Sequence, residues 1–197
     1  MNEFLTNLLD ETLGYETSLP LSWSVLDQPM DDRQLTLLNE ENERVLGSIA
    51  VLEEQVPDHA DMQTPQGQAL VRLETKLNIL TELVSHLLAT RLDRPEPHRF
   101  RLNACAIEWI CDEAPPEKDA LILLSIYLHP VFHQPFNVQV RVNDVTQDQN
   151  TYTVQAVFDG LSNVVLHSLE KFIFRHHRRG VAHDRSGRAA SVPTTQS

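Results

Sequence analysis

A chain of 197 residues with 41% hydrophobic side chains is long enough to bury one well-formed domain and carry an extension, and too apolar to be disordered throughout. Its 28 acidic and 16 basic side chains give a formal net charge of -12, and residues 1–60 hold only two basic side chains, Arg33 and Arg44. Phosphate backbones demand clustered Lys and Arg, so nucleic acid is excluded as the principal partner.

The start, Met1-Asn2-Glu3-Phe4, carries no positive n-region, and no apolar run reaches the length of a membrane span. A cytoplasmic protein without membrane insertion is expected. The first element in chain order is a strand over 17–26, where Leu19, Leu21, Trp23 and Val25 alternate with smaller or polar residues. Pro20 confines it to an edge or a strand start. Residues 1–30 are thus an N-terminal segment with a first strand.

From Leu35 the period changes. A 3-4 spacing runs through Leu38, Asn42, Val45, Ile49, Leu52 and Val56, and resumes at Leu70, Leu73, Leu77, Leu80, Val84 and Leu87. These are the a and d positions of heptads, the pattern that winds helices around each other, so residues 31–92 are expected to be an oligomerisation element. Each block supports a helix of roughly 25 residues, about 37 Å long. Pro57 and Pro65 bracket a polar stretch between the blocks, which makes the element a helical hairpin. Asn42 at an a position is expected to fix register by pairing with another polar group inside the bundle. Leu46, Leu83 and Leu88 fall at e and g positions and widen the stripe, which favours more than two helices.

Beyond the heptads, 100–111 and 121–128 read as strands joined by the turn Pro115-Pro116-Glu117-Lys118. On one regular strand Cys105 and Cys111 would stand about 20 Å apart, too far for a disulfide, and two buried free thiols are expected. Phe136, Val138, Val140 and Val142 alternate with polar residues, and after Gln147-Asp148-Gln149-Asn150 the alternation resumes at Tyr152, Val154, Ala156 and Phe158. That is a β-hairpin, and five strand candidates in so short a stretch suggest a barrel with Trp23 and Trp109 in its core.

Helical spacing returns at 161–178, with Leu161, Val165, Leu169, Phe172 and Ile173 on one face. Lys171, Arg175 and His176-His177-Arg178-Arg179 either complement the C-terminal end of that helix dipole or form a patch for an acidic partner. Residues 180–197 are expected to be a disordered basic tail. His129 and His133 have i, i+4 spacing, but Pro130 and Pro135 break any helix there, so no metal is assigned. With no nucleophile elbow, phosphate loop or spaced carboxylate pair, no enzymatic activity is expected.

The order of a strand opening Ser18-Leu19-Pro20-Leu21, a strand with Asn103-Ala104-Cys105, an apolar strand, a hairpin ending Val154-Gln155-Ala156-Val157-Phe158 and a final helix resembles the PilZ domain. The heptad helices and Tyr127-Leu128-His129-Pro130 are similar to its atypical, tetrameric branch. The resemblance implies an α+β fold: a six-stranded antiparallel barrel with a helical hairpin inserted after the first strand, residues 93–179 completing the barrel and its C-terminal helix. It implies a homo-oligomer, most readily a tetramer, working in bacterial cyclic di-GMP signalling with protein partners the sequence does not identify.

The binding motifs of the family are incomplete here. Its receptors carry an Arg-x-x-x-Arg clamp before the first strand, whereas this chain has no Arg or Lys before Arg33 and places Asp10, Glu11 and Glu16 there. Its second motif aligns with Asn103, Cys105 and Glu108, the last replacing a glycine with a bulky carboxylate. The resemblance therefore implies an adaptor that does not hold cyclic di-GMP. The alternative is a genuine receptor with a site rebuilt from Arg94, Arg99 or Arg101.

Overall fold

The computed structural model describes residues 14–53, 64–89, 94–130 and 132–189. Six strands, β1 (Tyr15–Val25), β2 (Pro97–Leu102), β3 (Ala106–Cys111), β4 (Leu121–Ile126), β5 (Phe136–Asp148) and β6 (Thr151–Asp159), close into an antiparallel barrel in the order β1-β2-β3-β6-β5-β4. Two helices, α1 (Asp32–Glu53) and α2 (Pro65–Ala89), lie between β1 and β2 in the chain, and α3 (Asn163–Ala189) follows β6. None of the described helices is long and apolar enough to cross a membrane.

The period-2 residues fill the barrel. Leu21, Phe100, Trp109, Ile122, Leu124, Val138, Val140 and Val154 are all buried in one cluster, and closure leaves the six strands few open edges. Trp109 is a core residue as expected, while Trp23 is only half-buried. Pro20 lies within β1 rather than at its start. There β1 changes neighbours, pairing with β2 from Tyr15 to Pro20 and with β4 from Leu21 to Val25, so the missing N–H falls where one ladder ends.

The expected single strand over 100–111 is two strands. Asn103 Oδ1 accepts the N–H groups of Cys105 and Ala106 at 2.8 Å each, and the Asn103 N–H reaches the Ala106 carbonyl, which folds the chain back between β2 and β3. Consequently Cys105 is exposed and only Cys111 is buried, a correction to the expected pair of buried thiols. Residues 180–189, expected to be disordered, continue α3 as helix. The remaining tail lies outside the described residues.

The first heptad block is used inside the chain. Val45, Leu46 and Ile49 of α1 join the core with Val165, Leu169, Phe172 and Ile173 of α3, so α1 covers its own barrel. Two amides fasten it. Asn39 donates to the Gly160 carbonyl and accepts from the Ser162 N–H, both at 2.8 Å, while Leu35 packs so closely on Gly160 that a Cβ there would come within 2.6 Å. Gly160 has φ of 84°, a conformation that also favours glycine. Asn42, 1% exposed, donates to the Asn137 carbonyl at 2.7 Å and accepts the Asn137 N–H at 3.0 Å.

Asn42 thus satisfies the backbone at the start of β5, and no bundle partner is needed to explain it. Asn42→Leu is expected to lower stability by about 2 kcal/mol or more, because it strips two backbone groups of their partners. Denaturant unfolding measures this. An unchanged or raised midpoint would show that water replaces the amide without cost.

Candidate ligand face and association helix

Strand register assembles a row of polar side chains on the outer face of the barrel. Glu16 of β1 stands opposite Arg101 of β2, Arg101 opposite Glu108 of β3, Glu108 opposite Gln155 of β6, and Gln155 opposite Asp144 of β5. The alternation that buries Phe100 and Leu102 turns Arg99 and Arg101 outward into this row. Gln155 Nε2 donates to Glu108 Oε2 at 2.7 Å. Arg99 grips Glu16 Oε1 through Nε at 2.9 Å and also through Nη2. Lys118 lies 3.3 Å from Asp144.

Arg99 and Arg101, two of the three arginines expected to rebuild a site, are therefore set among carboxylates. Gly14 approaches Arg101 closely, where even a Cβ would stand 3.1 Å from its Nε. A dianionic ligand at this face must displace the Arg99–Glu16 pair and meet the charge of Glu108. Arg94 belongs elsewhere: its Nη1 donates to the Pro130 carbonyl at 3.0 Å and its guanidinium lies 5.6 Å over the Tyr127 ring. The stretch 127–130 thus holds Arg94 apart from Arg99 and Arg101. Asn103 spends its carboxamide oxygen on the turn, and Cys105 presents an exposed thiol beside it.

The second heptad block has a different fate from the first. On α2, Leu73, Leu77, Ile79, Leu80, Leu83 and Val84 are 47 to 57% exposed, a continuous apolar surface on a helix of 25 residues. Leu70 and Leu87 lie on the same helix, and Val56 falls outside the described residues. Leu35 and Leu38 of α1 are half-buried, and Leu52 is exposed.

Sequence reading missed one cluster. The Glu53 side chain, 5% exposed at the end of α1, lies 2.7 Å from His176 Nε2 and 3.4 Å from Arg175 Nη2 of α3. Tyr15 meets the Phe172 ring edge-on and lies tilted against His176, and its phenol is pushed above the usual tyrosine range by burial first, the Glu53 charge adding to it. Two of the side chains read as a helix cap or external patch, Arg175 and His176, are thus internal partners. No local period could have signalled it, because Glu53 and His176 come from different helices far apart in the chain.

Comparison with known proteins places these features. The family model of the atypical PilZ domain, described as a cyclic di-GMP receptor, matches residues 46–186, well over half of the chain. No curated protein matches it. Among solved structures, a pathogenic protein from Xanthomonas campestris, described as a new tetrameric PilZ domain self-assembled via an unusual helical bundle, superposes with a TM-score of 0.68 at 19% identity. That likeness covers 91% of this chain and 96% of the other, and at such identity it speaks for the fold. With a closed six-stranded barrel, two helices after its first strand and a family match running from the end of α1 through β6 into α3, this chain belongs to the atypical PilZ domain family.

Proposed function

We propose that this protein is an oligomeric, cytoplasmic PilZ-type adaptor in cyclic di-GMP-related signalling, which docks other proteins without itself holding the nucleotide. The observation that carries the reading is the placement of Arg101 in register between Glu16 and Glu108, with Arg99 committed to Glu16. Oligomerisation is supported by the apolar face of α2, too extended to leave in water, and by the helical bundle of the structural neighbour. Of the seam predicted from heptads, the interface then consists of the α2 residues together with Leu52, Leu38 and Leu35 at the margin of α1.

Calorimetric titration of the full chain with cyclic di-GMP tests the nucleotide part. No heat and no thermal shift are expected. Two missing arginine contacts, each worth about 1.5 to 3 kcal/mol, lower affinity by about two orders of magnitude or more. Glu108→Gly restores only the close backbone approach and is expected to remain silent. Micromolar affinity abolished by Arg94→Ala or Arg101→Ala would instead establish a receptor with a rebuilt site.

A further inference from the structure

A cleft of about 940 Å³ opens beside the barrel, between β1, the segment leading into β2 and the end of β3. It lies where strand pairing lapses. The β1–β2 register ends at Pro20–Pro97, and the β2–β3 register ends at Phe100–Trp109 although β3 continues to Cys111. His98 Nδ1, a side-chain atom, lies 3.1 Å from the Ile110 carbonyl oxygen where a strand partner would otherwise stand.

The direction of the exposed backbone follows from its neighbours. The Leu21 N–H points to the Glu96 carbonyl on the cleft side at 3.4 Å, whereas the Pro20 carbonyl and the Leu26 N–H are taken on the β4 side by Tyr127 and Leu121. Strand alternation then turns the N–H and C=O of Trp23 toward the cleft and those of Val25, just beyond its lining, to the same side, where no described strand pairs with them. Pro95 and Pro97 on the facing wall have no N–H to offer. An open strand edge inside a cleft is a template for one more strand.

The chemistry of the walls selects the guest. Glu96, Asp112 and Glu113 are exposed there with no ion pair among the described residues, while the cation of Arg99 is held by Glu16. Cys111, behind this wall, has its thiol pushed up to about 11 by burial, with Glu113 and Asp112 adding to the effect. Half-buried Trp23, tilted against His98 at 5.8 Å and Trp109 at 5.7 Å, supplies an aromatic surface suited to a cation or an aliphatic stem.

We infer that the β1 edge at Trp23 and Val25 receives an extended, lysine- or arginine-bearing segment of a partner protein by strand addition. This deepens the adaptor reading and rests on it. Backbone hydrogen bonds to Trp23 and Val25 supply the docking, and alternate cationic side chains meet Glu96, Asp112 and Glu113.

The test titrates the full-length protein, followed by tryptophan fluorescence, with a synthetic peptide of about eight residues alternating lysine and valine, matched to the length of an ordinary strand. Saturable binding is expected, weakened about tenfold by the double substitution D112N/E113Q and by raised salt. A glutamate–valine peptide and a lysine–valine peptide N-methylated on alternate amides are both expected not to bind. Equal binding of either control, or indifference to D112N/E113Q, overturns strand addition at this edge. A parallel titration with cyclic di-GMP keeps the two readings apart. Nucleotide binding overturns the adaptor reading, whereas silence toward both nucleotide and lysine–valine peptide overturns the cleft assignment alone.

Discussion

Replacing Leu73, Leu77 and Leu80 together with glutamine is expected to convert the proposed oligomer to folded monomers. All three are more than half exposed on α2, and none belongs to the barrel core. Burying them against other copies is worth about 1.5 to 3 kcal/mol per side chain, hence roughly 5 to 9 kcal/mol for each chain. That exceeds what polar contacts at the rim of a bundle return. The barrel is expected to keep its unfolding transition, since its core is built from other residues. Sedimentation equilibrium of the unaltered and triply substituted chains at micromolar concentration measures the change. A monomer before substitution, or an unchanged oligomer after it, would remove α2 from the interface.

The second large effect is expected at Glu53. Its carboxylate belongs to the last described turn of α1 and is almost completely shielded from water. What holds it there is α3, through His176 at 2.7 Å and Arg175 at 3.4 Å. Glu53→Ala removes both contacts and leaves the two cationic-type side chains facing a small cavity. Breaking a fully buried pair costs about 3 to 5 kcal/mol, but Arg175 is about one-third exposed and regains water, so a loss of about 2 to 3 kcal/mol is expected. A double-mutant cycle with His176→Ala should return a coupling of about 1 kcal/mol or more. Additive effects would mean that the carboxylate and imidazole are neighbours without being partners.

These two expectations divide the heptad seam between two jobs. One block, through Val45, Leu46, Ile49 and the amides of Asn39 and Asn42, seals α1 onto the barrel. The other, on α2, leaves its leucines outside. The same 3-4 spacing serves both because a helix packed on a barrel and a helix packed on another helix each present one apolar stripe. Periodicity reports that a face is buried, not against what.

The sequence by itself determined the family and most of the elements, but not the division of 100–111 into two strands or the continuation of α3 beyond residue 179. Alternation of Val138, Val140 and Val142 with polar neighbours specifies a strand with one face inward, and the spacing of Val165, Leu169, Phe172 and Ile173 specifies a helix, because pleat and helical turn impose those periods locally. The absence of basic residues before Arg33 and the carboxylate at Glu108 were likewise legible as deficits of the binding motif. Only the tertiary structure decided which groups meet. Asn42 and Asn137 are 95 residues apart, Glu53 and His176 come from two different helices, and the row from Glu16 to Asp144 is drawn from five strands. Such contacts depend on barrel closure and strand register, which are set by the packing of the whole core and leave no local period to read.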